Sequence, residues 1–495
     1  MMKQKPIVDP MLTDLYQLTM AQGYFLSGKE YLEANFTIFF RENPFSGGFA
    51  IAGGIEPAIE FLDNFGFTDD DIAYLATLEA GDGTHLFVDV FLKHLKEMKF
   101  ACNVEAVEEG TVIFAREPIF KVSGPIEQCQ IVETTLLNII NFSTLVATKA
   151  ARCNIAAKGD AILEFGLRRA QGPDGGLMAS RASFIGGCAA TSNTLAGQVY
   201  DIPVAGTHAH SWIMAFDSEK ESFDAYVETS PNNVVLLVDT YDTLRGVKYA
   251  IESGRAMEAR GEHFVGIRID SGDLAWLSKE ARKMLDDAGL THAKIFASNE
   301  LDEYTISSLK DQGAPIDVWG VGTKMATAFD QPALGGVYKL TAIRKQGDET
   351  WSPRIKVSSQ ANKITTPGIH GVRRYVREDG SYAGDMVYDL QNAPKSAAAV
   401  MVDPFDSMRR KRFETEAVYW ELLIPMFESG RLVYELPTIR QVQARAHEGI
   451  RHLHETQLRF LNPHTYPVGL EQSLYDVRNR LLEEARSRGN GGSYE

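Results

Sequence analysis

The sequence predicts an α/β protein: an irregular parallel α/β barrel, with a mixed α/β domain before it and a helical portion after it. Two observations carry that class. From about residue 161, short apolar runs recur, each followed by polar or glycine residues and then a helical segment; successive runs start roughly 20 to 30 residues apart, the length of one βα unit. The residues after six of these runs are unusually polar, and parallel α/β folds collect their chemistry at the C-terminal ends of the strands. An open parallel sheet would give the same rhythm.

The elements follow in order. Asp9-Pro10 reads as a capping residue and first-turn proline of a helix whose buried stripe is Leu12, Leu15, Tyr16, Thr19 and Met20, with Gly28 just past its end. Ala34–Phe40 alternates like a strand, and Arg41–Phe45 with Gly47-Gly48 reads as a loop. The eight apolar runs are Ala161–Phe165, Ala182–Ile185, Ile202–Ala205, Val234–Val238, Phe264–Ile269, Lys294–Ala297, Asp317–Val321 and Val337–Leu340. After Trp351 the pattern changes. Arg354–Gly371 is basic and turn-rich, Phe413–Phe427, Ile439–Phe460 and Leu470–Arg486 read as amphipathic helices, and Gly489–Glu495 reads as a disordered tail. The expected domains are residues 1–150 (α/β), 151–350 (the barrel) and 351–495 (a basic loop, then helices packing on the first domain).

Composition narrows the function classes. The 66 acidic residues outnumber the 50 basic ones, giving a net charge of −16, which opposes non-specific binding to nucleic acid or anionic membranes. A locally basic pocket for a small anion stays compatible with that balance. Cys102, Cys129, Cys153 and Cys188 show no CxxC spacing, so neither a disulfide framework nor a zinc knuckle is expected, and a reducing, cytoplasmic location fits. The N-terminal stretch lacks an apolar core of signal-peptide length, and runs such as Val234–Val238 are far too short to span a bilayer.

The polar strand ends hold the candidate site. They are Glu164–Gly172, Gly206–Ser211, Asp239–Thr243, Arg268–Asp273, Ser298–Asp302 and Gly320–Lys324. Any one of them has a plain explanation as a helix cap, as for Ser271 or Asp302; six at one end are harder to explain that way. Gly320-Val321-Gly322-Thr323 can turn backbone N–H groups and a hydroxyl toward an anion such as a phosphate. Arg168, Arg169, Arg268 and Lys324 would supply positive charge. Asp239, Asp242, Asp270 and Asp273 could hold Mg²⁺ bridged to phosphates, or sugar hydroxyls. The HxH pair His208/His210 suggests a metal-dependent barrel hydrolase, but His263 and His292 precede their strands at the opposite end and the other histidines lie outside the barrel. That reading lacks ligands; a single histidine acting as nucleophile or proton carrier is the alternative, and two structural histidines the plain one.

Taken together, Asp14–Met20, Glu164–Gly172, Gly206–Ser211, Arg268–Asp273 and Gly320–Thr323 resemble the nicotinate phosphoribosyltransferase family, in its order, from about Leu12 to about Arg374. The resemblance implies a type II phosphoribosyltransferase fold. It implies that nicotinate, phosphoribosyl pyrophosphate, ATP and water give nicotinate mononucleotide, pyrophosphate, ADP and phosphate, the first step of NAD salvage from nicotinate. It implies Mg²⁺, with Asp239 or Asp270 as candidate ligands, and a cytosolic homodimer with shared active sites.

Carried over by motif, His210 matches the histidine phosphorylated by ATP, while His208 falls on a variable position. Tyr16, Thr207 and Arg268 match nicotinate-contacting positions. Thr323 matches a phosphoribosyl contact, and Gly322, Arg168, Arg169, Asp270 and Ser271 are grouped with it. His370 stands where a lysine is common, and no cysteine follows Cys188, so the zinc knuckle of some relatives is absent. Nicotinamide and quinolinate phosphoribosyltransferases are the alternatives within the same fold.

Overall fold

The computed structural model describes residues 8–230 and 234–489. The chain forms two compact units: Met1–Leu145 with Ala333–Thr438 and Ala444–Glu495, and Val146–Pro332 with Ile439–Gln443. Of the expected disordered tail, residues 490–495 lie outside the described residues.

The second unit is built on six parallel strands: β1 (Ala161–Glu164), β2 (Ala190–Thr191), β3 (Val234–Leu237), β4 (Phe264–Ile269), β5 (Lys294–Ala297) and β6 (Val318–Val321). Their order across the sheet is β2-β1-β6-β5-β4-β3, with registers such as Ile162 beside Trp319 and Leu236 beside Ile267. Both faces of the sheet are covered: all four residues of β3 and of β6 are buried. The sheet curls as a half-barrel. Helices α1 (Gly172–Ile185), α2 (Glu219–Thr229), α3 (Thr243–Ala259), α4 (Leu274–Asp287) and α5 (Glu303–Asp311) follow the strand ends. Ser218, Asp242, Asp273 and Asp302 cap the last four, each side chain accepting from a backbone N–H of the first turn.

Three of the eight expected runs are not strands of this sheet. Ala182–Ile185 is the end of α1; residues 179–185 are all buried, so the helix reads as an unbroken apolar run rather than a 3.6-residue stripe. Ile202–Ala205 contributes a single bridge, Val204 to Thr191, and β2 itself is too short to have stood out. Val337–Leu340 sits in the strand Gly336–Lys345 of the other unit, antiparallel to Leu32–Phe40. Ser271 is not a cap, since Asp273 fills that position. Asp242 and Asp273 each give one carboxylate oxygen to capping.

The first unit holds two further sheets. Leu32–Phe40 lies between Gly336–Lys345 and Phe120–Pro125 in a seven-stranded antiparallel sheet. A six-stranded sheet is centred on His370–Val376 and Tyr382–Asp389. Phe413–Phe427, expected as a helix, is three strand segments, Arg410–Phe413, Val418–Glu421 and Ile424–Glu428. Pro425, which cannot continue a helix interior, lies in the third. Ile439–Phe460, expected as one helix, is helical only over Ile439–Arg451, with a 3₁₀ turn at Glu455–Gln457 after it, and the helix expected over Leu470–Arg486 runs over Gln472–Gly489. In the core Arg374, 0% exposed, donates to Asp385 and to the Val112 carbonyl, and Tyr466 donates to the same Asp385. Burial, then the neighbouring Asp385, pushes the Glu117 carboxyl well up.

The N-terminal helix starts at Leu15, with Asp14 at its cap position, not at Asp9-Pro10. The segment before it is tied down elsewhere: Thr135 donates to the Leu12 carbonyl, and Thr13 to that of Ile131. The buried face is Gln17, Leu18 and Ala21, whereas Leu15 and Tyr16 are about half exposed. Buried Gln17 is satisfied by Glu133. The expected stripe therefore faces outward. All four cysteines are buried thiols. Among the described residues no helix is long and apolar enough to cross a membrane.

Candidate functional site

The site grows from the C-terminal ends of the parallel strands. Arg268 is the penultimate residue of β4, and its guanidinium is held at three corners. Nε donates to Ser298 Oγ at 2.8 Å, Nη1 to Thr207 Oγ1 at 2.7 Å and Nη2 to Asp270 Oδ1 at 3.2 Å. Ser298, just past β5, donates in turn to Asp270. A guanidinium has five N–H donors, so two stay available for a planar anion. The guanidinium also lies 5.9 Å from the centre of the Phe165 ring, just past β1. Burial alone would raise the Asp270 carboxyl, but the Ser298 hydroxyl and Arg268 outweigh it and hold it below the usual carboxylate range.

His210 opens the short helix His210–Met214 and is 40% exposed at its side chain. Its Nδ1 shares a hydrogen bond of 3.1 Å with Thr240 Oγ1, and Nε2 lies 3.7 Å from Asp270 Oδ2. His208 is different. It is buried, its Nε2 accepts from the Leu237 N–H at 3.2 Å, and burial lowers it to about 4. It is therefore a neutral structural histidine, while its neighbour faces solvent.

Asp239 organises the turn after β4: its Oδ2 accepts from the Asp270 N–H at 3.0 Å and from Ser271 Oγ at 2.6 Å. Its Oδ1 is buried with no hydrogen-bond partner among the described residues. Such an acceptor suits a cation or a ligand's donor. Glu219, at the start of α2, is 5% exposed and neither carboxylate oxygen has a partner among the described residues. Burial raises it to about 7, with Asp242 and Asp239 adding to the shift.

The glycine loop has a packing explanation that needs no phosphate. A side chain on Gly320, in β6, would come within 2.7 Å of the Phe165 ring, and one on Gly166 within 2.3 Å of Ala326 Cβ and 2.9 Å of the Gly322 carbonyl, so the glycines let the segments at the ends of β1 and β6 pack closely. Buried Glu164 locks the first turn, accepting from the Gly166 N–H, from Ser180 Oγ at 3.1 Å and from Thr191 Oγ1 at 2.5 Å. Lys324 is taken up by Asp302 at 2.6 Å, so it is not a free positive charge at the rim. Gly322 and Thr323 follow β6, at the cap and first position of a four-residue helix. Arg168 and Arg169 stand exposed in a 3₁₀ turn after β1.

The structure thus joins Thr207, His210, Asp239, Arg268, Asp270 and Ser271 in one hydrogen-bonded and ion-paired group. Gly322, Thr323, Arg168 and Arg169 stand at the same end of the sheet, after β6 and β1. Tyr16 belongs to the first unit, on the exposed face of its helix. Sequence reasoning missed Ser298, Thr240 and Phe165 as members. All three lie inside the polar strand-end stretches, Ser298 and Phe165 directly after their strands and Thr240 three residues after β3, and that position was the available signal. The first unit separately holds a basic cleft that includes Arg41, Arg116, Arg377, Arg409, Arg410 and Lys411.

Three family descriptions match consecutive parts of the chain: the nicotinate phosphoribosyltransferase N-terminal domain at residues 11–141, the nicotinate phosphoribosyltransferase family at residues 161–367 and its C-terminal domain at residues 369–478. A nicotinate phosphoribosyltransferase of Bacillus subtilis is 44% identical over 480 residues, covering 96% of each chain. One from Dictyostelium discoideum is 37% identical over 97% of this chain and 90% of its own. The crystal structure of human nicotinic acid phosphoribosyltransferase superposes with a TM-score of 0.83 at 32% identity, covering 95% of this chain and 99% of that one.

Proposed function

This chain belongs to the nicotinate phosphoribosyltransferase family, and from that premise we propose how its residues make nicotinate mononucleotide from nicotinate and phosphoribosyl pyrophosphate with ATP. The single observation that carries the reading is the Arg268 group. An arginine braced by Thr207, Ser298 and Asp270 keeps two N–H donors for a carboxylate, beside the face of Phe165. A pyridine carboxylate needs that pair, a fork for the acid and a flat apolar surface for the ring. We take the protein to act as a homodimer whose subunits share active sites.

The pyridine nitrogen is already nucleophilic, so the transfer needs orientation more than a base. Held by its carboxylate on Arg268, nicotinate directs that nitrogen at C1 of the ribose. The C1–N bond forms as the bond from C1 to pyrophosphate breaks. Arg168, Arg169 and Thr323 would hold the phosphates. The orphaned Asp239 Oδ1 fits Mg²⁺, with Asp270 beside it. Bound there with the substrate, Mg²⁺ would supply positive charge to the pyrophosphate leaving group.

ATP coupling runs through His210 in this reading. The terminal phosphoryl group of ATP passes to the imidazole, releasing ADP, and water later releases it as phosphate. What supports this is the position of His210: accessible, oriented by Thr240, and next to the carboxylate that braces Arg268. A change of charge on His210 is therefore felt by the nicotinate holder. Pyrophosphate release measured in parallel with nicotinate, nicotinamide and quinolinate, with and without ATP, tests the reading. Nicotinate should be preferred and ATP should stimulate; equal use of nicotinamide, or indifference to ATP, would overturn the corresponding part.

A further inference from the structure

The opposite end of the parallel sheet carries a second cluster with its own chemistry. Glu258 lies in the last turn of α3, His263 directly precedes β4, and His292 precedes β5 by two residues. Their ligating atoms all lie within 4.8 Å of one another. His292 Nε2 is 2.6 Å from Glu258 Oε1, and the two imidazole rings face each other with centres 5.1 Å apart.

The cluster rests on a rigid frame. Gly261, at φ 78°, makes the tight turn out of α3, and the Glu262 N–H returns to the Met257 carbonyl at 3.2 Å. That turn fixes the separation of Glu258 and His263. The turn carrying His292 is stapled by Arg282, whose guanidinium donates to the Ala293 and Leu290 carbonyls at 2.5 and 2.8 Å. Arg260, two residues after Glu258, is paired with Glu262 at 2.6 Å. The negative end of the α3 dipole points the same way. His263 makes no hydrogen bond among the described residues, so its ring is available.

We propose that Glu258, His263 and His292 form a binding site for a zinc-class divalent transition ion, separate from the catalytic end of the sheet. Two imidazoles and one carboxylate are the donor set such ions prefer, with water completing the tetrahedron. A tetrahedral ion about 2.1 Å from each donor holds the donors about 3.4 Å apart. The three donors, already within 4.8 Å of one another, need to close by at most about 1.4 Å to reach that spacing. The ion would clasp the end of α3 to the turns before β4 and β5, a stabilising role rather than a catalytic one.

The test is calorimetric titration of chelator-treated full-length protein with zinc chloride, paired with thermal melting. Wild-type protein should bind one zinc at this site and melt higher with zinc present. His263→Ala, His292→Ala and Glu258→Gln should each weaken that binding at least about tenfold and lose the thermal shift, while metal-free melting and transferase activity stay at wild-type values. Cobalt(II) should give a tetrahedral visible absorption band in wild type and not in His263→Ala. Zinc affinity unchanged in all three variants, or no zinc uptake by the wild-type chain, would overturn the proposal.

Discussion

His210 Nε2 lies 3.7 Å from Asp270 Oδ2, and the other oxygen of that carboxylate holds Arg268. The residue read as the phosphoryl acceptor and the one read as the nicotinate holder therefore share one carboxylate. His210→Ala should take ATP hydrolysis and ATP stimulation to background while leaving slow, ATP-independent transfer, because the rest of the Arg268 brace survives. ADP release and acid-labile phosphate on the protein are the measurements. Acid-labile phosphate persisting on the variant would remove His210 from the role.

Arg268→Lys should raise the Michaelis constant for nicotinate by roughly ten- to a hundredfold, since lysine keeps the charge but loses the fork. The nicotinate-to-nicotinamide preference should narrow. Ser298→Ala, which frees Arg268 Nε and one side of Asp270, should shift the same constant in the same direction by about fivefold, the size of one neutral hydrogen bond. If Arg268 only braces Asp270, both pyridines will suffer alike and the ratio will not move.

Thr323→Val tests the turn after β6. Losing a hydroxyl donor to a charged oxygen costs roughly 1.5–3 kcal/mol, or about tenfold or more in affinity for phosphoribosyl pyrophosphate. Nicotinate affinity should hold. Titration calorimetry that shows both ligands weakened equally would assign Thr323 to the packing of that turn.

Glu219 gives a pH signature. Its carboxyl is raised to about 7 in the folded chain against an ordinary 4.5. The folded state therefore holds this proton more tightly than the unfolded chain. The contribution favours folding below pH 4.5 and is lost as pH rises through 7. Glu219→Gln should stabilise the protein by about 1–3 kcal/mol at pH 8 and change little at pH 5. His208, lowered to about 4, acts in the opposite sense: its contribution is present above pH 6.5 and lost as pH falls through 4. Melting curves of wild type and variant across this range separate the two.

Arg374→Met should lower stability by about 3–5 kcal/mol, because Asp385 is left as a buried charge without its partner. Replacing Asp385 by Asn alongside it should recover part of the loss. Urea unfolding followed by tryptophan fluorescence measures both.

The sequence made the parallel sheet legible where strands are four or more residues long and flanked by turns, as at β1 and at β3 to β6. It failed where burial hid periodicity: α1 reads as a strand over Ala182–Ile185 because its last turns are covered all round. It failed again at Phe413–Phe427, where three short segments separated by turns imitate a helical spacing. The first helix failed differently. Its large apolar residues face outward and its buried positions include Gln17, so hydrophobicity pointed to the wrong face. In the site, charged residues announced themselves at the strand ends, but Ser298 and Phe165 did not. A serine and a phenylalanine gain meaning only from what they touch.

Asn35 donates to Thr341 at 2.7 Å across a separation of 306 residues, and their strands, Leu32–Phe40 and Gly336–Lys345, pair along nearly their whole length. On a ribosome that pairing has to wait. At ordinary synthesis rates roughly 300 residues take about 15–60 s, and through that interval one edge of Leu32–Phe40 has no neighbour. The parallel sheet, drawn from residues 161–321 without interruption, can assemble in the meantime. The nascent chain thus carries a finished sheet and an open strand edge together, and such edges recruit foreign strands. Crowded overexpression would load that hazard on the N-terminal third of the chain, and slower, cooler synthesis with a holding chaperone is the remedy the topology calls for.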